Sequence, residues 1–358
     1  MRLSVAIPTH RSDLLACSRL MQACSWAGPD LEVILRDNSG DAFKRNLLKS
    51  IKRENCKIVI VDPCSAVENY TEVTKLAKGE FIYVIADDDF GFDRAMSALP
   101  AALGECAHHP SVIGITGTYT IEQSNGSSYA AYQNLESDDV TARLAGYLSH
   151  HGANVLVYSP IRRDLYQQTF DFKEAMPFDF SFRDQIQCLL YLLNGKFARL
   201  KRLMYLYDAG EWETPERAQS VDLAFYNRSN QDPAINRLHW FICAFEGAVL
   251  IRNADIFPDY AMPIRQTMAD RWFSTMFLRF ANSTRTTFNS PNSGAAHILY
   301  DKWKVSAGRL SFQDMLNDIC EFMALSSPDN ARIYSGYWSA MLNKGVSVGR
   351  RLQTAAGA

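Results

Sequence analysis

The sequence has no surplus of positive charge and no closely spaced pair of cysteines. Its 37 Lys and Arg residues are balanced by 39 Asp and Glu residues, which gives a formal net charge of −2. Proteins that bind nucleic acid phosphates carry a surplus of basic residues, so nucleic acid is not the expected partner. The eight cysteines never occur as CxxC. This spacing argues against a zinc site or a disulfide framework and favours reduced thiols in a cytosolic protein.

The sequence also lacks a long uninterrupted apolar run. No stretch approaches the roughly 20 apolar residues that a membrane-spanning helix needs. The longest run, Trp240 to Ile251, is interrupted by Glu246. The first residues run straight into a strand-like pattern instead of a signal peptide. We therefore expect a cytoplasmic protein without a transmembrane segment, and peripheral contact with the inner membrane is left open.

Short apolar runs alternate with segments of helical length in the first ninety residues. Runs rich in Val, Ile or aromatic residues predict strands at 3–7, 31–35, 57–61 and 81–85. The segment from Ser12 to Trp26 is predicted to be a helix with Ser12 as its N-cap. This alternation predicts an α/β fold with a mostly parallel sheet flanked by helices. In such sheets, ligands bind beyond the carboxyl ends of the strands.

The first loop excludes two common nucleotide-binding folds. Pro8 to Ser12 has none of the glycines that a dinucleotide-binding fold places between its first strand and helix. It also has no Gly-Lys-Ser or Gly-Lys-Thr, the phosphate-binding sequence of a P-loop. Any nucleotide site in this chain must therefore be built differently.

The length of 358 residues predicts two domains. Strand-like composition recurs at 111–120 and 153–158, and Ser159-Pro160 is typical of a helix start. Farther along, apparent helices occupy 235–252, 263–281 and 311–325. We expect residues 1–212 to form the α/β domain that carries the site, and residues 213–358 to form a mainly helical C-terminal domain.

Carboxylates follow two of the predicted strands. Asp87, Asp88 and Asp89 follow the fourth, and Asp37 ends the second. Three adjacent carboxylates repel one another, and Mg²⁺ or Mn²⁺ relieves that repulsion while also binding substrate phosphates. We therefore predict a bound metal diphosphate in preference to a solvated acidic turn. Asp37 has two open interpretations, hydrogen bonding to a nucleotide base or an Asx turn with the following residues.

The first ninety residues resemble the GT-A nucleotide-sugar glycosyltransferases of the large inverting family that includes cellulose, chitin, hyaluronan and O-antigen enzymes. The likeness lies in four motifs and their order. They are Val5-Ala6-Ile7-Pro8-Thr9, the run from Val33 to Gly40 with Asp37, Ala77-Lys78-Gly79-Glu80-Phe81-Ile82, and the Asp triplet at the place of the family's Asp-x-Asp motif. Two departures are the longer spacing from Asn69 to Gly79 and Ala86, where many members have the first Asp.

The resemblance implies transfer of a sugar from a nucleotide diphosphate sugar, with a UDP-sugar favoured, to a hydroxyl of a saccharide or lipid-linked acceptor. It further implies inversion, dependence on Mg²⁺ or Mn²⁺, and a role in bacterial surface polysaccharide or glycan synthesis. Homo-oligomer formation is left open. The implied site residues are Pro8, Thr9 and Asp37 beside the base and ribose, Asp87 and Asp88 at the donor, and Asp87 and Asp89 at the metal.

An inverting transfer also needs a general base for the acceptor hydroxyl. Asp184 begins a predicted helix that ends at Gly195, and this segment resembles the family's Glu-Asp motif, with Arg183 in place of the Glu. The alternative is a capping box in which Asp184 only satisfies a backbone N–H. Asp179 is the reserve candidate for the base, and Asp208 is a weaker candidate for binding metal or diphosphate.

Two rival functions stay open. The first is a nucleotidyltransferase that activates a sugar phosphate, which would release pyrophosphate but lacks the expected glycine-rich first loop. The second is a noncatalytic nucleotide-binding or carbohydrate-binding protein, which would bind nucleotide without turnover.

Overall fold

The structure is a computed structural model that describes residues 1–150, 154–210, 214–283, 288–306 and 310–344. The chain divides into two units. The first lies within Met1–Asp138, Gly152–Gln167 and Gly195–Gly210, and the second within Asp139–His151, Gln168–Asn194 and Glu211–Ala358. The boundary expected at 212/213 lies outside the described residues. Two segments expected in the first domain, near 139–150 and 168–194, group with the second unit.

The first unit contains a mixed sheet. Its strands are β1 (Leu3–Thr9), β2 (Leu31–Asp37), β3 (Cys56–Ile60), β4 (Phe81–Val84), β5 (Phe90–Gly91), β6 (Val112–Gln123), β7 (Gly126–Ala130), β8 (Ile161–Arg162) and β9 (Lys196–Asp208). The order is β3-β2-β1-β4-β8-β6-β9-β5, and β7 pairs with β6. β1, β2, β3 and β4 pair in parallel, as do β6 and β9, whereas β8 is antiparallel to β4. The four strands expected from the early apolar runs are therefore present.

The helices of the first unit are α1 (Leu14–Ser25), α2 (Ala42–Ser50), α3 (Ala66–Lys75), α4 (Asp93–Met96) and α5 (Leu99–Ala107). The first three begin at polar side-chain caps. The side chain of Asp13 accepts a hydrogen bond from Ala16 N and caps α1, so the predicted cap, Ser12, is wrong by one residue. Both residue types cap helices well, and sequence alone does not rank two adjacent candidates.

Two predictions around residue 155 are wrong. Val155–Tyr158 form a 3₁₀ turn in place of the expected strand, and residue 153 lies outside the described residues. Pro160 does not begin a helix, because β8 follows it directly. The next helix starts only after that strand.

The described elements of the second unit are mainly helical. Helix α7 (Arg163–Ala175) starts in the first unit and ends in the second. The other helices are α6 (Val140–Leu148), α8 (Arg183–Asn194), α9 (Pro215–Arg228), α10 (His239–Asn253), α11 (Met262–Ala281), α12 (Ser293–Ser306), α13 (Phe312–Ala324) and α14 (Pro328–Lys344). This arrangement agrees with the expected α/β fold followed by a mainly helical C-terminal part.

Helix α10 is the buried centre of the second unit. In the described part of the chain, Pro233–Asn253 is the one helical stretch long and apolar enough to cross a membrane, but 89% of its most apolar window is buried. A helix in the core of a protein meets the same criteria of length and hydropathy. The charge within it, Glu246, is fully buried and accepts hydrogen bonds from Arg183 Nη1 at 3.1 Å and Tyr334 Oη at 2.9 Å. Burial raises the pKa of Glu246 to about 7, although Arg183 acts in the opposite direction.

Candidate active site

The first loop is organised around Asp87. Its Oδ2 accepts three hydrogen bonds, each of 2.8 Å, from Thr9 Oγ1, His10 N and Arg11 N. Only 5% of Asp87 is exposed. Because the loop has no glycine cradle, the aspartate supplies the acceptor that its backbone N–H groups need. Two predicted site residues, Thr9 and Asp87, are therefore in direct contact.

A buried lysine that no sequence motif singles out joins this loop to the end of β2. Lys44 Nζ lies 2.9 Å from Asp37 Oδ1 and donates to Thr9 Oγ1 and to Arg11 O, both at 2.6 Å. The side chains of Lys44 and Asp37 are 0% and 1% exposed. Two strand-end carboxylates, Asp37 and Asp87, are thus linked through one ammonium group and one hydroxyl. We call Thr9, Asp37, Lys44 and Asp87 the strand-end network.

Sheet register explains why these residues meet. Thr9 and Asp37 are partners in the parallel pair of β1 and β2, and Pro8 is opposite Arg36. Helix α2 follows directly and is capped by Asp41, which accepts from Lys44 N at 2.7 Å. Asp37 Oδ1 also accepts from Ser39 N at 3.2 Å. The Asx contact is therefore present, and base binding by Asp37 stays a prediction.

A layer of amides supports the network from the side of α3. Asn69 Nδ2 donates to Asn38 Oδ1 at 3.0 Å, and Asn38 Nδ2 donates to Cys64 O at 2.8 Å. Arg36 Nη1 donates to Asn69 Oδ1 at 2.7 Å. These amides are satisfied while buried, so they hold the loop after β2 in one arrangement.

Asp88 and Asp89 contact different partners. Arg11 Nη2 donates to Asp88 Oδ2 at 3.0 Å, and Arg19 donates to the Asp88 carbonyl. Asp89 accepts from the hydroxyl of Tyr205 and, at 2.9 Å, from Asp208 N. Tyr205 lies in β9, far along the sequence, and no motif of the sequence singles it out.

Burial sets the electrostatics of this pair. It raises the pKa of Asp88, with Arg11 opposing the shift, and it raises the pKa of Asp89 to about 7, with the charge of Asp88 adding to the effect. Asp208 contributes in the same direction at both positions. A cation placed here would relieve the repulsion among these carboxylates.

The candidate metal ligands at this site suit a hard divalent cation. All candidate ligands are carboxylate oxygens, which Mg²⁺ and Mn²⁺ prefer. Among the described residues, no three His, Cys, Asp or Glu side chains already form a metal cluster. Oδ2 of Asp87 is engaged by the first loop, whereas Asp88 and Asp89 interact electrostatically with Asp208. The assignment of Asp87 and Asp89 to the metal stays a prediction.

The candidate base, Asp184, lies in the second unit. It is the second residue of α8, is half-buried, and accepts from Gln185 N at 2.8 Å through Oδ1. Ser181 Oγ is 2.8 Å from His239 Nδ1. Arg183, the residue before Asp184, donates to the carbonyls of Pro177 and Phe178 as well as to Glu246. Asp184 thus begins its helix as expected.

The fold is similar to that of solved structures, whereas no protein-family model and no curated protein matches the sequence. Residues 1–349 of S. aureus TarS are 16% identical, with 95% of this chain and 92% of that chain covered and a TM-score of 0.51. The same residues of TarS in complex with UDP-GlcNAc have 16% identity, coverage of 95% and 92%, and a TM-score of 0.53. The longer S. aureus TarS structure has 15% identity, coverage of 94% and 55%, and a TM-score of 0.52. The likeness confirms a GT-A-like α/β fold with a helical C-terminal part.

Proposed function

We propose that this chain is a glycosyltransferase that uses a nucleotide diphosphate sugar, with a UDP-sugar as the favoured donor, in glycan synthesis. The strand-end network is the observation that carries the proposal. It places buried carboxylates at the carboxyl ends of parallel strands, where α/β sheets bind nucleotides. The complex of TarS with UDP-GlcNAc supports the choice of a UDP-sugar.

The proposed roles follow from the environment of each group. Asp37, held by Lys44 through one oxygen, presents a fixed acceptor for an N–H of the base. Pro8 and Thr9 border the base and ribose. Asp87 and Asp89 are the proposed metal ligands, with Asp87 and Asp88 at the donor, and a bound Mg²⁺ or Mn²⁺ would stabilise the charged forms of Asp88 and Asp89, whose pKa values are raised. When bound, that ion would neutralise charge on the departing diphosphate.

Asp184 is the proposed general base. A carboxylate at a helix start, half-buried, is suited to take the proton of an acceptor hydroxyl as that oxygen attacks the anomeric carbon. Attack opposite the leaving diphosphate inverts the anomeric configuration, so inversion is part of the proposal. The acceptor is a saccharide or lipid-linked hydroxyl.

Incubation with a panel of nucleotide sugars tests the function. The protein, with Mn²⁺ or Mg²⁺, should release a nucleoside diphosphate from one donor, at a rate that an added acceptor increases. Release of pyrophosphate from a nucleoside triphosphate and a sugar phosphate would instead establish the nucleotidyltransferase. Binding of a nucleotide sugar without any turnover across a broad acceptor panel would favour the noncatalytic alternative.

The variant Asp184→Asn tests the base. We expect kcat to fall by roughly 10²–10⁴-fold, because the proton acceptor is lost while the helix start is kept. Asp329→Asn is the matched control, since Asp329 is the second residue of α14 and its side chain is 83% exposed. Equal activities of the two variants would remove Asp184 from this role.

A further inference from the structure

Two cysteines of the first unit lie side by side, away from the strand-end network. Cys24 is in the last turn of α1, and Cys56 is the first residue of β3. Their thiols are close enough to interact with each other, and both cysteines are free of disulfides. No local sequence pattern marks this pair, because the fold brings together positions that are far apart along the chain.

The polypeptide holds the two positions together firmly. Arg53 donates to Ala27 O through Nε at 3.2 Å and through Nη2 at 3.1 Å. Asn55 Nδ2 donates to Gly28 O at 3.0 Å. Asn55 has φ of 58°, a left-handed turn that leads the chain into β3. The segment after α1 and the segment before Cys56 are therefore fastened to each other beside the thiol pair.

The two thiols differ in exposure and in charge environment. Cys56 is half-buried and lines a surface groove of about 780 Å³ that Arg53 and Lys52 also line. Cys24 is only 3% exposed. Interaction with the Cys24 thiol lowers the pKa of Cys56, with burial opposing this shift and the charge of Arg53 adding to it, and the same interaction together with burial raises the pKa of Cys24. The more accessible sulfur, that of Cys56, is thus also the one whose pKa is lowered, and it lies beside the buried thiol of Cys24.

We propose that Cys24 and Cys56 form an oxidisable dithiol, in which a hydroperoxide oxidises Cys56 first and Cys24 then closes a disulfide. In the first step, the Cys56 thiolate sulfur attacks a peroxide oxygen and the O–O bond breaks. The departing oxygen leaves as hydroxide or alkoxide and takes up a proton, and Cys56 becomes a sulfenic acid. This assignment is independent of the proposed transferase activity.

The second step uses the neighbouring thiol. The Cys24 sulfur attacks the Cys56 sulfur, the S–S bond forms, and the S–O bond breaks with loss of water that carries away the Cys24 proton. The two electrons that reduce the peroxide come from the two thiols. An external dithiol such as dithiothreitol returns both electrons and restores the reduced pair. The disulfide would tie the end of α1 to edge strand β3.

Peptide mapping of the whole chain tests the proposal. Reduced protein is treated with a small molar excess of hydrogen peroxide, alkylated and digested with trypsin. The digest places Cys24 in peptide 20–36 and Cys56 in peptide 54–57, each without another cysteine. We expect these two peptides to be joined and to separate after dithiothreitol. Cys320 is the control, because it is also half-buried but burial raises its pKa to about 11, so it should stay reduced.

Two variants separate the steps. Cys24→Ser should leave Cys56 as a sulfenic acid that dimedone traps, and Cys56→Ser should abolish both the trapped product and the cross-link. Cross-links among other cysteines, oxidation of Cys56 no faster than that of Cys320, or an unmodified Cys56 in the wild-type map would each overturn the proposal. The wild-type map decides the question even if a variant fails to fold.

Discussion

Replacing Lys44 by methionine would leave one of the most buried charges of the first unit without its partner. Asp37 is 1% exposed, and its contact with Lys44 Nζ is 2.9 Å long. Removal of one member of a buried ion pair typically destabilises a protein by about 3–5 kcal/mol. Lys44→Met also removes the donor to Thr9 and to the Arg11 carbonyl. We expect the free energy of unfolding of the first unit to fall by about that amount.

Urea unfolding followed by far-UV circular dichroism measures the change. Lys49→Met is the matched control, because Lys49 lies on the same helix but is exposed, and its replacement should change stability by about 0.5 kcal/mol or less. The double variant Lys44→Met/Asp37→Asn removes the stranded charge and should recover a large part of the loss. A Lys44→Met loss below ~1 kcal/mol, or a double variant no more stable than the single one, would show that the buried ion pair does not stabilise the first unit in this way.

Three further predictions concern a pH dependence, a packing contact and a hydroxyl. Because the pKa of Glu246 is about 7 in the folded chain, against an ordinary value of 4.5, the folded chain keeps the proton longer than the unfolded one. Stability should therefore fall by about 3 kcal/mol as pH rises from about 4.5 to 7 and then level off, and Glu246→Gln should flatten this slope in urea titrations. Gly247→Ala would place a Cβ 2.1 Å from Trp272 Nε1 and should lower the free energy of unfolding by about 1–3 kcal/mol. Gly336→Ala is the control, because there is open space around Gly336, and it should leave stability unchanged or increase it. Equal melting temperatures of the two variants would contradict this prediction. Tyr205→Phe removes the hydroxyl that contacts the last aspartate of the triplet and should raise the Mn²⁺ concentration for half-maximal activity roughly 10–100-fold, with an unchanged metal response as the contrary result.

The early strands are predictable because strands buried on both faces have an apolar local composition. β1 and β2 lie inside the sheet and are buried along almost their whole length, so they appear in the sequence as apolar runs rich in Val, Ile and Leu. The shared location of the carboxylates that end β2 and follow β4 is predictable as well, since parallel strands bring their carboxyl ends to one edge. Their order along the chain also carries the family resemblance.

The contacts that organise the site cannot be predicted from local composition. Lysine is seldom buried, so composition gives no reason to place Lys44 in the interior. Its position on α2, four residues before the buried Leu48, is the one available signal of an inward-facing charge. Tyr205 meets Asp89 across 116 positions of sequence, a separation that local patterns do not encode. At Pro160, local preference favours a helix, whereas pairing with the sheet makes the following residues a strand.

Isothermal titration of the protein with UDP tests whether the chain binds a nucleoside diphosphate together with a metal ion. In the presence of Mn²⁺, we predict a single binding site whose affinity falls sharply when EDTA removes the metal. The variant Asp89→Asn should lose the metal-dependent part of the binding, whereas Asp329→Asn should bind as the wild type does. Failure of folded protein to bind UDP or any other nucleoside diphosphate, or binding that neither EDTA nor Asp89→Asn changes, would contradict the proposed function.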